Sequence, residues 1–409
     1  MRTIFLFFVV LFSPASLLHA QWVQTNGPQS GVVSSFAVNG TKLFAGTNGG
    51  VYLSTNNGSN WALVDSGMSN TYVWSLALNG VNLFAGTNGG VFRSTNNGTS
   101  WSAANSGMTS TEITSLAVNP TSSGNIIAGT YGGGVFLSTN DGSSWTPVDS
   151  GLTNDTVLSV AMNGTILLAG TYGDGVFIST NTGTKWISSN EGLTNTDVLS
   201  LAFRGSDLLA GTYGGGVFLS TNAGTSWTAV NDGLTRTRVF SLAQNGLNLF
   251  AGTSGGGVFL TTNNGTSWTA VDTGLVLTDI RSLAVNPDLL GNVFAGTNGQ
   301  GVWRRPLSEM ITSVGSSING QPVRFGLNQN YPNPFNPATT ISFTLPSRSY
   351  VSLKIFDAMG GMVSILHSGE LPAGTHVRQW NAQGVPSGAY FCRLRAGSFT
   401  ETRKLVLVR

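Results

Sequence analysis

Side chains that could do chemistry are few in this chain. Of its 409 residues, three are histidine and one is cysteine. His19 lies in the leading segment, and His367, His376 and Cys392 lie near the other end, so residues 21–305 contain neither type. A Ser-His-Asp triad, a cysteine nucleophile and a His-ligated zinc site are therefore excluded from that stretch. A Walker-type phosphate loop is absent too. Carboxylate chemistry remains, chiefly glycoside hydrolysis, which needs two acids about 5–10 Å apart. The candidates are Glu112, Asp174, Asp197 and Asp279, with Arg236 and Arg238 as neighbouring cations. Stacking is the other option: Tyr131, Tyr172 and Tyr213 could hold a sugar or a peptide. Which of them share a surface depends on the elements that carry them.

Those elements recur. Trp61, Trp101, Trp145, Trp186, Trp227 and Trp268 are spaced 40, 44, 41, 41 and 41 residues apart. A phrase such as LFAGTNGGVFRSTNNGTSW precedes each, and the Ala-Gly-Thr triplet starts at Ala45, Ala85, Ala128, Ala169, Ala210, Ala251 and Ala295. One unit divides into four short β-rich runs, like VWSLALNG, NLFAGT, GVFLST and SWTAV, separated by Asn-Gly or Gly-rich turns. Such runs are antiparallel hairpins, and four strands per unit of this length make one blade of a β-propeller. The seventh unit has strands at 280–285, 292–297 and 301–304 but no tryptophan run after them. Trp22-Val23-Gln24-Thr25 is the missing fourth strand, so head and tail should latch into one blade. The prediction is an all-β, seven-bladed ring over residues 21–305.

The phrase at each turn between third and fourth strands, from Ser54–Trp61 through Thr261–Trp268, resembles the Asp-box (BNR) motif, Ser-x-Asp-x-Gly-x-x-Trp. That motif occurs in sialidase-like, sortilin-like and xyloglucanase-like propellers, and single rings of this kind also resemble photosystem II assembly factors. Asn replaces the Asp in every copy: Asn56, Asn96, Asn140, Asn181, Asn222 and Asn263. Asn still closes an Asx-type turn, so the motif is read as architecture, with the Trp covering an apolar edge. Asn97-Gly98-Thr99 is a glycosylation triplet by composition only, since a tight hairpin wants the same residues. Sialidase chemistry would need an arginine cluster and a Phe/Tyr-Arg-Ile-Pro motif, and both are missing.

Positions alike in all copies serve the blade, whereas exposed positions that differ are free to serve a ligand. The loops between second and third strands share a face with the segments leading into the first strands. On that face the differing set is Tyr131, Tyr172, Tyr213 and Asp174, and, just before the first strands, Tyr72, Glu112, Thr156, Asp197, Arg238 and Asp279, with Arg236 close by. The two structural alternatives are that each tyrosine packs on the neighbouring blade and that the charges form a solvated rim.

The flanks are of another kind. Arg2, the apolar run Ile4–Phe12, Pro14 and Leu18-His19-Ala20 have the layout of a secretory signal peptide, residues 1–20. No later segment is apolar for long enough to span a bilayer. Residues 306–323 read as a polar linker without periodicity. Beyond it, alternating runs at 351–356, 375–380, 388–394 and 403–408 predict a small immunoglobulin-like sandwich over 324–409, with prolines 332, 334 and 337 in an extended lead-in. Tyr390, Cys392 and Leu394 fall on one face, which makes Cys392 a core residue. Charge divides unevenly: residues 22–305 hold 13 acidic and 9 basic side chains, and residues 324–409 hold 3 and 9. The weakly acidic front argues against nucleic acid as its ligand.

The final segment resembles the type A C-terminal sorting domain of the type IX (Por) secretion system. The matching residues are 330–337 (NYPNPFNP), Ile355-Phe356-Asp357, 371–376 (LPAGTH), Trp380-Asn381, 385–391 (VPSGAYF) and the basic-apolar 403–409. The resemblance implies export, first across the inner membrane and then across the outer one, and in that family the domain is commonly cleaved. The partners expected are the type IX machinery through 324–409 and a glycan or extracellular protein on the propeller. A monomer without cofactor or metal is expected. The reading favoured is a non-catalytic binding or adhesion module. A xyloglucanase-like glycoside hydrolase is the first alternative, although its usual two-propeller cleft does not fit one ring, and an assembly factor is the second.

Overall fold

The computed structural model describes residues 21–28, 31–122, 124–246, 248–286, 291–314, 325–327, 330, 333–372, 374–397 and 399–408. The expected signal peptide and the second half of the expected linker fall outside them. The chain divides into two compact units between Met310 and Ile311.

The first unit is a seven-bladed propeller, with seven four-stranded antiparallel sheets among the described residues. Blade 4 is typical: Val157–Asn163, Ile166–Thr171, Val176–Ser179 and Ile187–Ser188. First strands of successive blades lie side by side, the seventh against the first. Fourth strands are only two residues long, shorter than the SWTAV runs suggest, and the tryptophan stands just before them.

Three repeated contacts explain why the copies are so alike. The glycine of each Ala-Gly-Thr leaves room for the next blade. A Cβ on Gly46 would sit 2.6 Å from Val73 Cγ1, one on Gly170 2.6 Å from Val198, and one on Gly296 2.7 Å from Val33. In five first strands a serine, Ser35, Ser75, Ser115, Ser159 or Ser282, bonds to the neighbouring blade: Leu76 N donates to Ser35 Oγ at 2.9 Å, and Ser282 Oγ donates to Val33 O at 2.7 Å. Each tryptophan clamps back onto the preceding blade. Trp101 donates its backbone N–H to Ser66 O at 2.8 Å and its indole N–H to Val64 O at 2.7 Å, and Trp145, Trp186, Trp227 and Trp268 repeat both bonds.

Closure uses the same parts. Val23–Gln24 pairs with Arg304 and Trp303 to complete blade 7. Trp22 makes both clamp bonds to blade 6, its backbone N–H to Thr273 O at 2.9 Å and its indole to Val271 O at 2.6 Å. The seam has extra bonds that repeat spacing does not reveal. Arg304 donates to Asn57 O at 2.6 Å, and the buried Arg305 donates to Val271 O at 3.0 Å. Burial lowers the Arg305 pKa below its ordinary value, against the raising effect of Glu309 and Asp272.

The Asn-for-Asp turns close as expected. Asn56 Oδ1 accepts from Ser54 Oγ at 3.0 Å and from Asn60 N at 2.9 Å, while Gly58 N donates to Ser54 Oγ at 2.8 Å. The five other copies do the same. The residue after each Asn is in the left-handed region, at Asn57, Asn97, Asp141, Thr182, Ala223 and Asn264.

After blade 7 the sequence reading needs correcting. Leu307–Val314 is a helix, not featureless linker, and Met310 is buried. Pro306, which lacks an N–H, immediately precedes its first turn, and Glu309 stands within that turn, where negative charge is favoured.

The second unit is a β-sandwich of two sheets. One carries Gly326–Leu327, Ala338–Leu345 and Gly374–Asn381. The other carries, in spatial order, Met362–Leu371, Ser349–Phe356, Gly388–Ala396 and Phe399–Leu407. Tyr390, Cys392 and Leu394 are buried together between the sheets. Tyr390 Oη donates to Pro386 O at 2.7 Å, four residues upstream, as in the tyrosine corner of immunoglobulin-like domains. Burial pushes the Cys392 thiol up to about 12. Met362–Leu371 is not evident in the sequence, because it is an edge strand whose pairing shifts register twice and whose alternation is therefore broken. Around the prolines, Phe335 makes only an isolated parallel bridge to Leu407 in place of an extended lead-in, and residues 331–332 are not described.

Candidate functional site

In blades 3, 4 and 5 the second-to-third-strand loop is a four-residue turn opened by tyrosine. Thr130 Oγ1 donates to Gly134 O at 2.8 Å and ties the ends of the first of these turns together. The loop is then bonded on both sides. Tyr131 N donates to Glu112 O, Tyr172 N to Thr156 O and Tyr213 N to Asp197 O, at 2.9–3.0 Å. Gly134 N, Gly175 N and Gly216 N donate to Asp155, Thr196 and Thr237 of the following blades. The two sets of differing residues therefore lie side by side in each blade, and their backbones are held from within the ring.

Their side chains differ in what they touch. Tyr131, Tyr172 and Tyr213 are 57%, 62% and 45% exposed. Tyr213 lies under the Arg238 guanidinium of the next blade, 3.6 Å from its ring centroid. Glu112 and Arg236 are exposed, and Asp197 is half-buried. Asp174 accepts from Thr153 Oγ1 at 2.6 Å. Asp279 accepts from Arg281 and from Asn298 Nδ2, both at 3.0 Å. Tyr72 packs against Trp74 with ring centroids 4.5 Å apart and planes tilted by 40°. Among the described residues, no three His, Cys, Asp or Glu side chains gather in a way that could hold a metal ion.

Trp74 was not singled out from the sequence, and the reason lies in the backbone. Every first strand has a register shift around its second residue: Ser34, Trp74, Thr114, Leu158, Leu199, Phe240 and Arg281. A bulge re-aims the residue it carries. This position differs in nearly every copy although it sits between a Val or Ile and a serine that is the same in all. That contrast was the available signal. Trp74 is 37% exposed, and its indole donates to Asn88 Oδ1 at 2.5 Å. Phe240 lies under the Arg281 guanidinium, 4.0 Å away.

Residues 329–408 match the family described as the secretion system C-terminal sorting domain. That stretch is a sorting tail. It implies handling by the type IX machinery and delivery to the cell surface or the extracellular space. No helix among the described residues is long and apolar enough to cross a membrane. Among curated protein sequences, none matches the chain. Solved structures resemble its fold. YCF48 from Cyanidioschyzon merolae is 15% identical with a TM-score of 0.55, covering 71% of this chain and 99% of its own. The GH74 xyloglucanase from Xanthomonas campestris is 15% identical with a TM-score of 0.57, covering 80% of this chain and 59% of its own. The GH74 enzyme of Niastella koreensis is 17% identical with a TM-score of 0.56, covering 95% of this chain and 75% of its own. At such identities the likeness is one of fold.

Proposed function

We propose that the propeller is a non-catalytic binding or adhesion module, working at the cell surface or outside the cell once the sorting tail has delivered it. Its ligand is a glycan or an extracellular protein. The observation that carries this reading is the exposure of Tyr131, Tyr172 and Tyr213 on consecutive blades, on loops whose backbones are pinned from both sides. Flat rings on a rigid frame bind by stacking at little entropic cost. The Tyr72–Trp74 pair adds a second aromatic surface.

The test is a glycan array and a polysaccharide-hydrolysis screen with the full chain, run beside Tyr172→Ala and Trp74→Ala. Binding without turnover, weakened about tenfold or more by either substitution, is the expected result. Turnover abolished by Asp197→Asn or Glu112→Gln would instead make the protein a glycoside hydrolase.

A further inference from the structure

The outer face of the four-stranded sheet in the second unit holds an arrangement that folding alone disfavours. Lys354 and Arg393 are direct partners across two neighbouring strands, and Ser352 faces Arg395 one step along. Like charges directly opposite one another destabilise a sheet. The remaining cross-strand neighbours give no relief: Ile365 flanks Lys354, Thr402 flanks Arg393 and Thr400 flanks Arg395.

Acids are available in this unit but are used elsewhere. Glu370 pairs with Arg348 at 2.8 Å and Glu401 with Arg403 at 2.5 Å. Asp357 accepts from the backbone of Met359 and Gly361 in its own turn. Among the described residues, no ion pair reaches Lys354, Arg393 or Arg395. These cations line an open cleft of about 410 Å³, walled by Tyr350 and Phe356. The Arg393 guanidinium lies over the Phe356 ring at 4.7 Å.

We propose that this cleft docks an acidic polypeptide segment in extended conformation. Arg393 and Arg395 are two residues apart on one strand, so their side chains leave the sheet about 6.8 Å apart. An extended peptide repeats its same-side residues at that interval. Alternate Asp or Glu residues would meet the cations, and the residues between them would point away from the cleft. Bidentate guanidinium–carboxylate bonds then offset the repulsion between Lys354 and Arg393. The cations all belong to the second unit and the residues of the proposed propeller site to the first, so the success or failure of this proposal is independent of the reading proposed there.

The full chain is titrated with a short synthetic peptide alternating glutamate and valine, and with its glutamine counterpart. Anionic phospholipid vesicles and a single-stranded oligodeoxynucleotide serve as competing probes. Binding of the glutamate peptide alone, weakening with salt and falling about tenfold or more in Arg393→Gln/Arg395→Gln, is expected. Arg348→Gln should leave binding intact. Lys354→Gln should weaken binding while leaving thermal stability equal or higher, because it relieves the cross-strand repulsion. Unchanged affinity in the double variant, an equal loss in Arg348→Gln, or tighter binding to vesicles or DNA than to the peptide overturns the proposal.

Discussion

Two residues show how local strain and burial can be tested. Thr182 occupies the left-handed region at φ 60°, where the equivalent turns use Asn57, Asn97, Asp141 and Asn264. A β-branched side chain is poorly suited there, whereas Asn tolerates it. Thr182→Asn should stabilise the propeller by roughly 1 kcal/mol, read as a higher urea midpoint. An unchanged or lower midpoint would mean the turn is not strained. Cys392 concerns reactivity. With its thiol pushed up to about 12, it should resist alkylation in the folded protein at pH 8 and react once urea exposes it. The sign of the linkage follows. Its folded pKa lies above the ordinary value of 9.0, so the stabilisation is whole below pH 9 and is lost as pH rises from there towards about 12. Candidate side chains were legible in the sequence by exclusion and by comparison of copies. Trp74 escaped because a bulge changes a side chain's direction without changing the hydrophobic pattern.

At the scale of the element, most of each blade was legible because its contacts are repeated. A glycine that recurs seven times signals a place where something comes close, and the close neighbour is the first strand of the next blade. Gly170→Ala would force Val198 to move and should cost about 1–3 kcal/mol, visible in thermal unfolding. A cost near zero would show that the interface has slack. Elements that occur once were harder to read. The helix Leu307–Val314 and the edge strand Met362–Leu371 have no second copy for comparison. The helix carries apolar residues at Leu307, Met310, Ile311 and Val314 but spans only two turns, and the strand's alternation is broken by its register shifts.

For the whole molecule, the decisive feature is a ring whose two ends meet in blade 7. Removing residues 21–29 would take away Trp22 and both of its clamp bonds, and would leave the strand Val302–Pro306 unpaired on one side. An unpaired edge is a template for aggregation. The truncated protein should aggregate under conditions that keep the full chain dispersed, as followed by light scattering. A dispersed, monomeric truncation would show that the seam does not hold the ring. The sandwich unit differs in kind, since its core is enclosed by two sheets and needs no closing strand.

By itself the sequence determined the number of blades, the register in which they repeat, the strand that closes them and the sorting tail. Each of these rests on local periodicity or on a motif within one stretch of chain. Only the tertiary structure decided which side chains meet: Arg238 over Tyr213, Tyr72 against Trp74, and Lys354 beside Arg393. The first of these joins neighbouring blades, the second depends on a bulge, and the third is a cross-strand register. Spacing along a chain specifies none of the three, because side-chain direction and strand pairing are settled only when the sheets assemble.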